Sequence, residues 1–340
     1  MKPIRILDST LRDGMHAVSH QLTPEQMAIV AAKLDEAGVD SIEVGHGDGL
    51  GGSSFQYGFS KAPEAHYYKA VAQVLTKTKL AVLLIPGIGT VEDLELAMEY
   101  GVKTVRVATH VTEADTGEQH IKFAKAHGLE AIGFLMMSHM APPEKVLEQA
   151  KLFESYGADV VYVTDSAGAM LPADVTARIS LVSQELSTPI GFHAHNNLGL
   201  AIGNTLAAIE AGATVVDGTV CGLGAGAGNA QLEVLTAVLD KAGYKTGIDL
   251  YKVMDLSKDV VEGLMHRPQT VNTDALAIGY AGAYGSFLLH SRRAAEKFGV
   301  DSRDILLELG RRKTVGGQED LIIDVAIELA KQKSFSLSDD

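Results

Sequence analysis

The chain has 340 residues, of which 46% are apolar and 21% charged, and its formal net charge is -14 at pH 7. This composition is that of a globular protein with a sizeable core. The negative charge opposes the phosphate neutralisation that dominates nucleic-acid binding, so we exclude nucleic acids and anionic membranes as main partners. The sequence shows neither a signal peptide nor the roughly 20 apolar residues of a membrane span, and we expect a soluble, cytoplasmic protein.

A repeated phrase runs through the chain as far as about residue 248. In each copy a helix ends at a glycine and an apolar strand follows, as in EAGVDSIEV from Glu36 and EYGVKTVRV from Glu99. Glycine readily adopts the left-handed backbone that closes a helix. The copies are spaced by near-multiples of about 30 residues, one strand-and-helix unit. The closing glycines are Gly38, Gly101, Gly157, Gly212 and, in a looser copy, Gly128.

Eight short segments supply the strands of this pattern. They are continuously apolar rather than alternating, which is typical of parallel strands covered on both faces. Since no later strand widens the sheet, we predict an α/β fold, a closed (β/α)8 TIM barrel, rather than an open doubly wound sheet. The predicted strands are residues 4–8, 41–44, 79–84, 104–108, 131–136, 160–164, 190–194 and 215–219.

The helices have start signals, and the tail is helical throughout. Residues 23–26 combine a capping box with a proline at the first helical position. After about residue 248 the strand rhythm stops, which divides the chain into a catalytic barrel at 1–248 and a C-terminal helical domain at 249–340. Glycines at 279, 282 and 285 suggest close packing of the tail against a neighbour. Its predicted helices span residues 250–264, 273–298, 302–311 and 318–331.

Candidate metal ligands stand at the carboxyl ends of the first and seventh strands, where barrel enzymes place their reactive groups. His193 and His195 are two residues apart and share one face of a strand. Asp13 follows the first strand, which neighbours the seventh in a barrel closed by the eighth. Two imidazoles and a carboxylate leave half of an octahedral shell open for a substrate. We predict a divalent metal at these residues, the alternative being a pair of buried core histidines.

Four further positions complete the predicted mouth of the barrel. Arg12 is predicted to stabilise enolate charge, the alternative being a surface cation. Glu43 would point from the second strand and orient Arg12 rather than bind metal, the alternative being an isolated carboxylate. The apolar Leu83 and Ile85 end the third strand and could line the aldehyde side of a specificity pocket.

The glycine-rich run at residues 222–228 follows a strand and opens a helix, as a dinucleotide-binding loop does. It comes after the eighth strand, however, and lacks the early acidic context of a Rossmann unit. Close approach of the backbone where the barrel closes explains it better.

Several motifs resemble a known enzyme family. LDSTLRDG, FHAHNN and GTVCGLGAGAGN resemble the DRE-TIM metallolyases, which include hydroxymethylglutaryl-CoA lyases and isopropylmalate and homocitrate synthases. RDGMHAVSHQ, EVGHGDGLGGSSFQYG, LLIPGIGT and VGGQEDLI are similar, over essentially the whole chain, to the 4-hydroxy-2-oxovalerate aldolases. The resemblance implies retro-aldol cleavage of 4-hydroxy-2-oxopentanoate to pyruvate and acetaldehyde in aromatic or steroid catabolism. It implies Mn²⁺ as the usual metal, with Co²⁺ or Mg²⁺ as substitutes.

The resemblance also implies roles for individual residues. His16 matches the general base, while Ser166 and Tyr284 match substrate contacts, with Tyr284 also counted among the catalytic groups. His20 and His46 are loop histidines that we expect to be non-catalytic. By the same resemblance, Asp13, His193 and His195 are the metal ligands, Arg12 is the enolate stabiliser, and Arg12, Asp13 and His193 also contact the substrate.

A protein partner follows from the same resemblance, an acylating acetaldehyde dehydrogenase that receives the aldehyde within a hetero-oligomer and makes acetyl-CoA with NAD. The helical tail is the predicted docking surface, the alternative being that it only covers the barrel. Gly316 and Gly317 would leave an open channel past His20 and Tyr284 toward the partner.

Two other functions remain open at this point. One is an acyl-CoA-dependent lyase or synthase on the same scaffold, which would need a larger mouth and usually a longer chain. The other is a non-catalytic barrel that binds a structural metal and acts as an interaction module. Structural metal sites are closed, whereas two histidines and one aspartate leave positions open.

Overall fold

Eight parallel strands pair in chain order, and the last pairs with the first to close a barrel. The computed structural model describes residues 3–336, so positions 1–2 and 337–340 of the two predicted domains lie outside the described residues. The predicted (β/α)8 barrel with C-terminal helices is confirmed. The strands are β1 Arg5–Leu11, β2 Ser41–Val44, β3 Lys79–Leu84, β4 Thr104–His110, β5 Glu130–Met136, β6 Val160–Asp165, β7 Ile190–Ala194 and β8 Val215–Gly218.

The helices that surround the barrel begin and end where local signals place them. Thr23 accepts a hydrogen bond from the Gln26 N–H, which completes the predicted capping box ahead of α1. Gly38 closes the same helix with φ +93°, in the left-handed region. These helices are α1 Pro24–Ala37, α2 Glu64–Ala72, α3 Val91–Glu99, α4 Glu118–Ala126, α5 Pro143–Tyr156, α6 Pro172–Glu185, α7 Ala201–Glu210, α8 Leu232–Lys241 and α9 Leu250–Leu256.

The tail is more interrupted than predicted. The single helix expected at 273–298 is wrong, because Gly282 adopts φ +64° and ends α10 (Thr273–Ala281) before α11 (Phe287–Phe298) begins. The segment 250–264 also leaves α-helical geometry after α9, through a π turn and a 3₁₀ turn. The tail continues with α12 Ser302–Arg311 and α13 Leu321–Ser336.

Packing joins α9 to the barrel and gives the rest of the tail its own core. Val253 and Leu256 are buried in the barrel core, whereas the separate tail core begins at Ile278. The division at 1–248 and 249–340 stays a prediction, and the packing of α9 favours a later boundary. Within the described residues, no helix is long and apolar enough to span a membrane.

The tail bundle lies against the loops that follow β5 and β7. The Nε2 atom of His139 is 3.0 Å from the Gly282 carbonyl oxygen, and Lys313 donates from Nζ to the Met140 carbonyl at 2.9 Å. A Cβ on Gly279 would lie 3.0 Å from the Asn197 side chain, whereas a Cβ on Gly285 would have no neighbour within 4 Å. The predicted close packing therefore holds for Gly279 and not for Gly285, and the tail covers part of the barrel mouth.

Candidate active site

Asp13, His193 and His195 meet at the barrel mouth. Asp13 opens a 3₁₀ turn after β1, His193 lies in β7, and His195 follows the end of β7. The Nε2 atoms of His193 and His195 are 3.5 and 3.7 Å from Asp13 Oδ2. One ligand atom from each residue lies within 4.8 Å of the other two. The structure thus brings the predicted ligand set together.

Arg12 is held beside this cluster by Glu43, the neighbour predicted from the sequence. Its Nε donates to Glu43 Oε2 at 2.7 Å, and its Nη1 donates to Asp13 Oδ2 at 3.1 Å and to the Gly47 carbonyl at 3.2 Å. Both Arg12 and Glu43 are buried. The predicted pairing is correct, and the guanidinium lies in a fixed orientation next to the metal-ligand cluster.

The sequence prediction missed a second buried arginine beneath the site. Arg106, in the middle of β4, donates from Nη2 to Asp217 Oδ2 at 2.6 Å and from Nη1 to Glu43 Oε2 at 3.2 Å. Asp217 also accepts from Tyr162 Oη at 2.7 Å and is 2.7 Å from His193 Nδ1. A charged residue within an otherwise apolar strand was the available signal for Arg106 and Asp217. Arg106 therefore bridges Glu43, which holds Arg12, and Asp217, which lies next to His193.

The charge balance and an orphaned oxygen fit a divalent cation. The three buried carboxylates exceed the two buried guanidinium groups by one negative charge, which a bound cation or a proton on His193 can compensate. Asp13 Oδ1 is buried and, among the described residues, has no hydrogen-bond partner. Two imidazoles and a carboxylate suit a borderline metal with open positions. The carboxylates of this balance are Asp13, Glu43 and Asp217, and the guanidinium groups are Arg12 and Arg106.

The same charges set the protonation of the ligands. Burial alone would raise the pKa of Asp13, but Arg12 and the two imidazoles hold that pKa well below its usual range. Burial lowers the pKa of His195 to about 4, although Asp13 acts in the opposite direction. Burial also disfavours the cationic form of His193, yet hydrogen bonds to Asp13 and Asp217 raise its pKa. Asp13 and His195 are therefore ready to bind a metal near neutral pH, while a proton competes at His193.

Three histidines gather around Gly47, next to Arg12. The rings of His16 and His20 have centroids 5.1 Å apart, and His20 stacks on His46 at 3.8 Å. His46 accepts at Nδ1 from the Asp48 N–H and lies 3.1 Å from the Gly58 carbonyl through Nε2. These backbone contacts occupy both ring nitrogens of His46, and its non-catalytic role stays a prediction.

Ser166, which follows β6, and Tyr284, in the tail, both lie beside Met137. The Ser166 hydroxyl accepts from the Met137 N–H at 3.0 Å, and Tyr284 packs in one apolar cluster with Met137 and Ala167. Burial raises the pKa of the Tyr284 phenol and the charge of Glu113 adds to this, so the phenol stays neutral. The tail thus places Tyr284 against Met137, whose N–H donates to Ser166, and the substrate contacts of both residues stay a prediction.

The predicted channel residues lie in two places. A Cβ on Gly316 would be 3.8 Å from the Tyr284 ring, while a Cβ on Gly317 would have no neighbour within 4 Å. Gly317 has φ +93°. The ring contacts of His20 are to His16 and His46 instead. The path that joins these places stays a prediction.

The predicted specificity residues differ in burial. Leu83 is buried in the apolar cluster inside the barrel, with Phe134 and Tyr162, and Ile85 packs against this cluster while half-buried. Strand β3 ends at Leu84, so Ile85 lies just above the barrel interior. Of the two, Ile85 is the one more open to the mouth.

The glycine-rich run lies against the metal-ligand cluster. A Cβ on Gly224 would lie 3.1 Å from Asp13 Oδ1, and a Cβ on Gly226 would lie 2.4 Å from Asn197 Oδ1. A side chain at either position would therefore displace Asp13, Asn197 or Asn229. Close backbone approach accounts for these glycines, as predicted.

Comparisons with known proteins identify the family of the chain. The model of the HMGL-like family matches residues 3–260, and the model of the DmpG-like communication domain matches residues 269–331. The chain is 72% identical over 330 residues to the 4-hydroxy-2-oxovalerate aldolase of Carboxydothermus hydrogenoformans, covering 97% of this chain and 98% of the relative. It is 59% identical over 336 residues to the enzyme of the same name from Geobacillus stearothermophilus, covering 99% and 98%.

Solved structures with the same architecture share little sequence with the chain. The HMG-CoA lyase of Bacillus subtilis has a TM-score of 0.66 at 21% identity, covering 78% of this chain and 94% of that one. The carboxyl transferase domain of Rhizobium etli pyruvate carboxylase has a TM-score of 0.79 at 17% identity, covering 98% of this chain and 61% of that one. At such identities the likeness concerns the fold alone.

Proposed function

The chain belongs to the HMGL-like family and to its 4-hydroxy-2-oxovalerate aldolases, and from that premise we propose that Asp13, His193 and His195 hold the divalent metal of this lyase. The observation that carries the proposal is the meeting of these three side chains, and the second carboxylate oxygen, Asp13 Oδ1, is buried without a hydrogen-bond partner among the described residues. Mn²⁺ is the proposed ion, with Co²⁺ or Mg²⁺ as substitutes. The acyl-CoA-dependent and non-catalytic alternatives are set aside, because the relatives named as aldolases match almost the whole chain.

The reaction proposed is the cleavage of 4-hydroxy-2-oxovalerate to pyruvate and acetaldehyde in aromatic or steroid catabolism. The divalent metal, when bound, supplies Lewis-acid polarisation of the 2-oxo group. His16 takes the proton of the C4 hydroxyl, the C3–C4 bond breaks, and its electron pair passes to C3 as the pyruvate enolate. Arg12, oriented by Glu43, stabilises the negative charge that develops on the enolate oxygen. Protonation of C3 then completes pyruvate.

The remaining contacts of the substrate are assigned by position. Ser166 and the neutral Tyr284 phenol are proposed to bind and orient the oxo acid, since both lie beside Met137 at the tail side of the mouth. Ile85 and Leu83 are proposed to limit the length of the aldehyde chain. The apolar surroundings of both residues support this assignment.

The tail is proposed to dock an acylating acetaldehyde dehydrogenase in a hetero-oligomer. The match to a communication domain covers most of the tail bundle, and exposed apolar side chains such as Tyr280 (75% exposed) and Leu276 (48%) lie on α10. Gly316, which adjoins Tyr284, and Gly317 are proposed to leave the aldehyde a path toward that partner, with His20 at the barrel end.

Removal and return of the metal tests the proposed function. Chelation should abolish pyruvate formation from 4-hydroxy-2-oxovalerate, and added Mn²⁺ should restore it. His193→Ala should lose both activity and bound Mn²⁺, whereas His127→Ala, an exposed histidine on the outside of the barrel, should keep both. Full activity of metal-free protein, or of His193→Ala, would remove the metal from the mechanism.

A further inference from the structure

We propose that His16, His20 and Asp48 form a second, inhibitory metal site that takes a late first-row transition ion such as Zn²⁺ or Co²⁺. This cluster is distinct from Asp13, His193 and His195 and lies beside it at the barrel mouth. One ligand atom of each of its residues lies within 4.8 Å of the other two. It is the second such group among the described residues.

The donor set suits late first-row transition ions. Two imidazoles and one carboxylate also occur as the ligands of open Zn²⁺ sites, in which water fills the fourth position. His16 and Asp48 are half-buried, so an ion can enter from solvent.

The backbone holds the ligands of this site in place. Ser19 and His20 both adopt left-handed backbone, with φ +54° and +60°, a conformation that costs free energy for residues other than glycine. A Cβ on Gly47 would lie 2.6 Å from the His16 ring and 2.7 Å from the His20 ring, so only glycine allows the two imidazoles to converge there. The aspartate loop is fixed as well, because the Asp48 N–H donates to His46.

The competing interaction at His20 is weak. Its Nδ1 accepts a hydrogen bond from the Gly47 N–H at 3.4 Å, which is long for such a bond. The stacked His46 ring keeps His20 from turning away from the cluster. A metal ion can therefore bind a His20 nitrogen, and only this one long hydrogen bond is lost.

Occupation of this site has a consequence that rests on the proposed function. His16 is the proposed general base, and an ion bound to its imidazole occupies the lone pair that accepts the C4 hydroxyl proton. An enzyme with Mn²⁺ at the Asp13 site should therefore be inhibited when Zn²⁺ fills the second site. Binding of the second ion does not depend on the role of His16.

Titration with Co²⁺ tests binding without any activity measurement. Bound Co²⁺ absorbs visible light, so the titration counts the ions that wild type and variants take up. We expect wild type to bind two Co²⁺ ions, Asp48→Asn to lose the ion at His16 and His20, and Asp13→Asn to keep it. Glu319→Gln is the matched control, since the charge of Glu319, like that of Asp48, raises the pKa of Tyr57, while Glu319 lies outside the cluster. A single ion in wild type, or two ions in Asp48→Asn, would overturn the site.

Inhibition of the Mn²⁺-loaded enzyme tests the consequence. Asp48→Asn should need at least about tenfold more Zn²⁺ than wild type for half inhibition, because loss of a ligand should cost no less than loss of a group that only orients a ligand. If excess Mn²⁺ relieved the inhibition equally in both proteins, Zn²⁺ would act at the Asp13 site and the inhibitory role would be wrong. An inactive Mn²⁺ enzyme would contradict the proposed function alone, because the Co²⁺ spectra stand without it.

Discussion

Arg106 and Asp217, which are 111 residues apart in the chain, form a 2.6 Å ion pair beneath the candidate metal site. The guanidinium also lies over the rings of Phe134 and Tyr162, with its central carbon 4.2 and 4.6 Å from their centroids. Asp217 in turn lies 2.7 Å from His193 Nδ1 and orients that ring. The orientation of His193 therefore depends on Arg106, which is not itself one of the proposed metal ligands.

Replacement of Arg106 by methionine should weaken Mn²⁺ binding by about 10- to 100-fold, the effect expected when a partner of a metal ligand is disturbed. The Mn²⁺ affinity of Arg106→Lys should lie between those of Arg106→Met and wild type, because one ammonium group cannot contact Asp217 and Glu43 with the same geometry. Equilibrium dialysis gives the dissociation constants. Arg178→Met, which removes a buried arginine bound to the carbonyls after β5, should lower stability and leave Mn²⁺ affinity unchanged. Equal affinities in all four proteins would show that Arg106 only stabilises the fold.

Removal of the imidazole in His16→Ala should lower turnover by about 10²- to 10⁴-fold, the usual contribution of a positioned general base. Mn²⁺ content should stay the same, because the ring lies outside the Asp13 cluster. Pyruvate formation and metal analysis on one sample measure both. His66→Ala, at a histidine on α2 away from the mouth, serves as the control. A wild-type rate would move the base to His20 or to bound water.

Shortening Ile85 to alanine should raise the use of propanal relative to acetaldehyde in the aldol direction, since the half-buried side chain borders the mouth. Leu83→Ala should act in the same direction but also lose about 2–5 kcal/mol of stability, because it leaves a cavity in the barrel interior. The ratio of the two specificity constants measures selectivity, and thermal unfolding measures stability. A constant ratio in both variants would exclude these residues from the aldehyde pocket.

A bulky side chain at Gly317 should reduce aldehyde transfer to the dehydrogenase while pyruvate formation continues. Gly317 has φ +93°, so any side chain strains its backbone, and Gly317→Ala is the control for that strain. The yield of acetyl-CoA from the complex, measured in the presence of an external aldehyde trap, reports transfer. If Gly317→Phe and Gly317→Ala transferred the aldehyde equally well, the path would not pass this residue.

Asp8 should make the stability of the protein fall with rising pH. Burial raises its pKa from 3.8 to about 7, against the hydrogen bonds from Thr10. Below pH 4 both the folded and unfolded states are protonated; as pH rises from about 4 to 7 only the unfolded state ionises, and this stabilisation is lost. Relative to wild type, the free energy of unfolding of Asp8→Asn should therefore rise by up to about 4 kcal/mol between pH 4 and 8.

Chemical denaturation across this range measures the effect at Asp8. The amide keeps an acceptor for the Thr10 N–H, so the variant should fold. Asp35→Asn is a control of opposite sign. Although burial of Asp35 works against it, hydrogen bonds from Thr76, Thr78 and Lys77 lower the pKa of Asp35. The loss of stability caused by Asp35→Asn should become smaller as pH falls below about 4. A pH-independent difference between Asp8→Asn and wild type would show that Asp8 is not perturbed.

Local features carried most of the fold prediction. A glycine just after a helix and the apolar run that follows it, as at Gly38 and Gly157, mark a strand-and-helix unit, because both act within a few residues of chain. The pairing of Arg12 with Glu43 and the grouping of Asp13 with His193 and His195 followed from the order of strands in a barrel. The break at Gly282 was missed, since a glycine inside an apolar helical pattern can either continue the helix or close it.

By itself, then, the sequence determined the barrel, its strand order and the side chains that face its mouth, since these depend on periodicity and on local backbone preference. Only the tertiary structure decided which distant charges meet. Arg106 lies 63 residues from Glu43 and 111 from Asp217, and it contacts both because the closed barrel points β2, β4 and β8 at one axis. The His16, His20 and Asp48 cluster likewise depends on where two loops fold over the mouth, which no periodicity encodes.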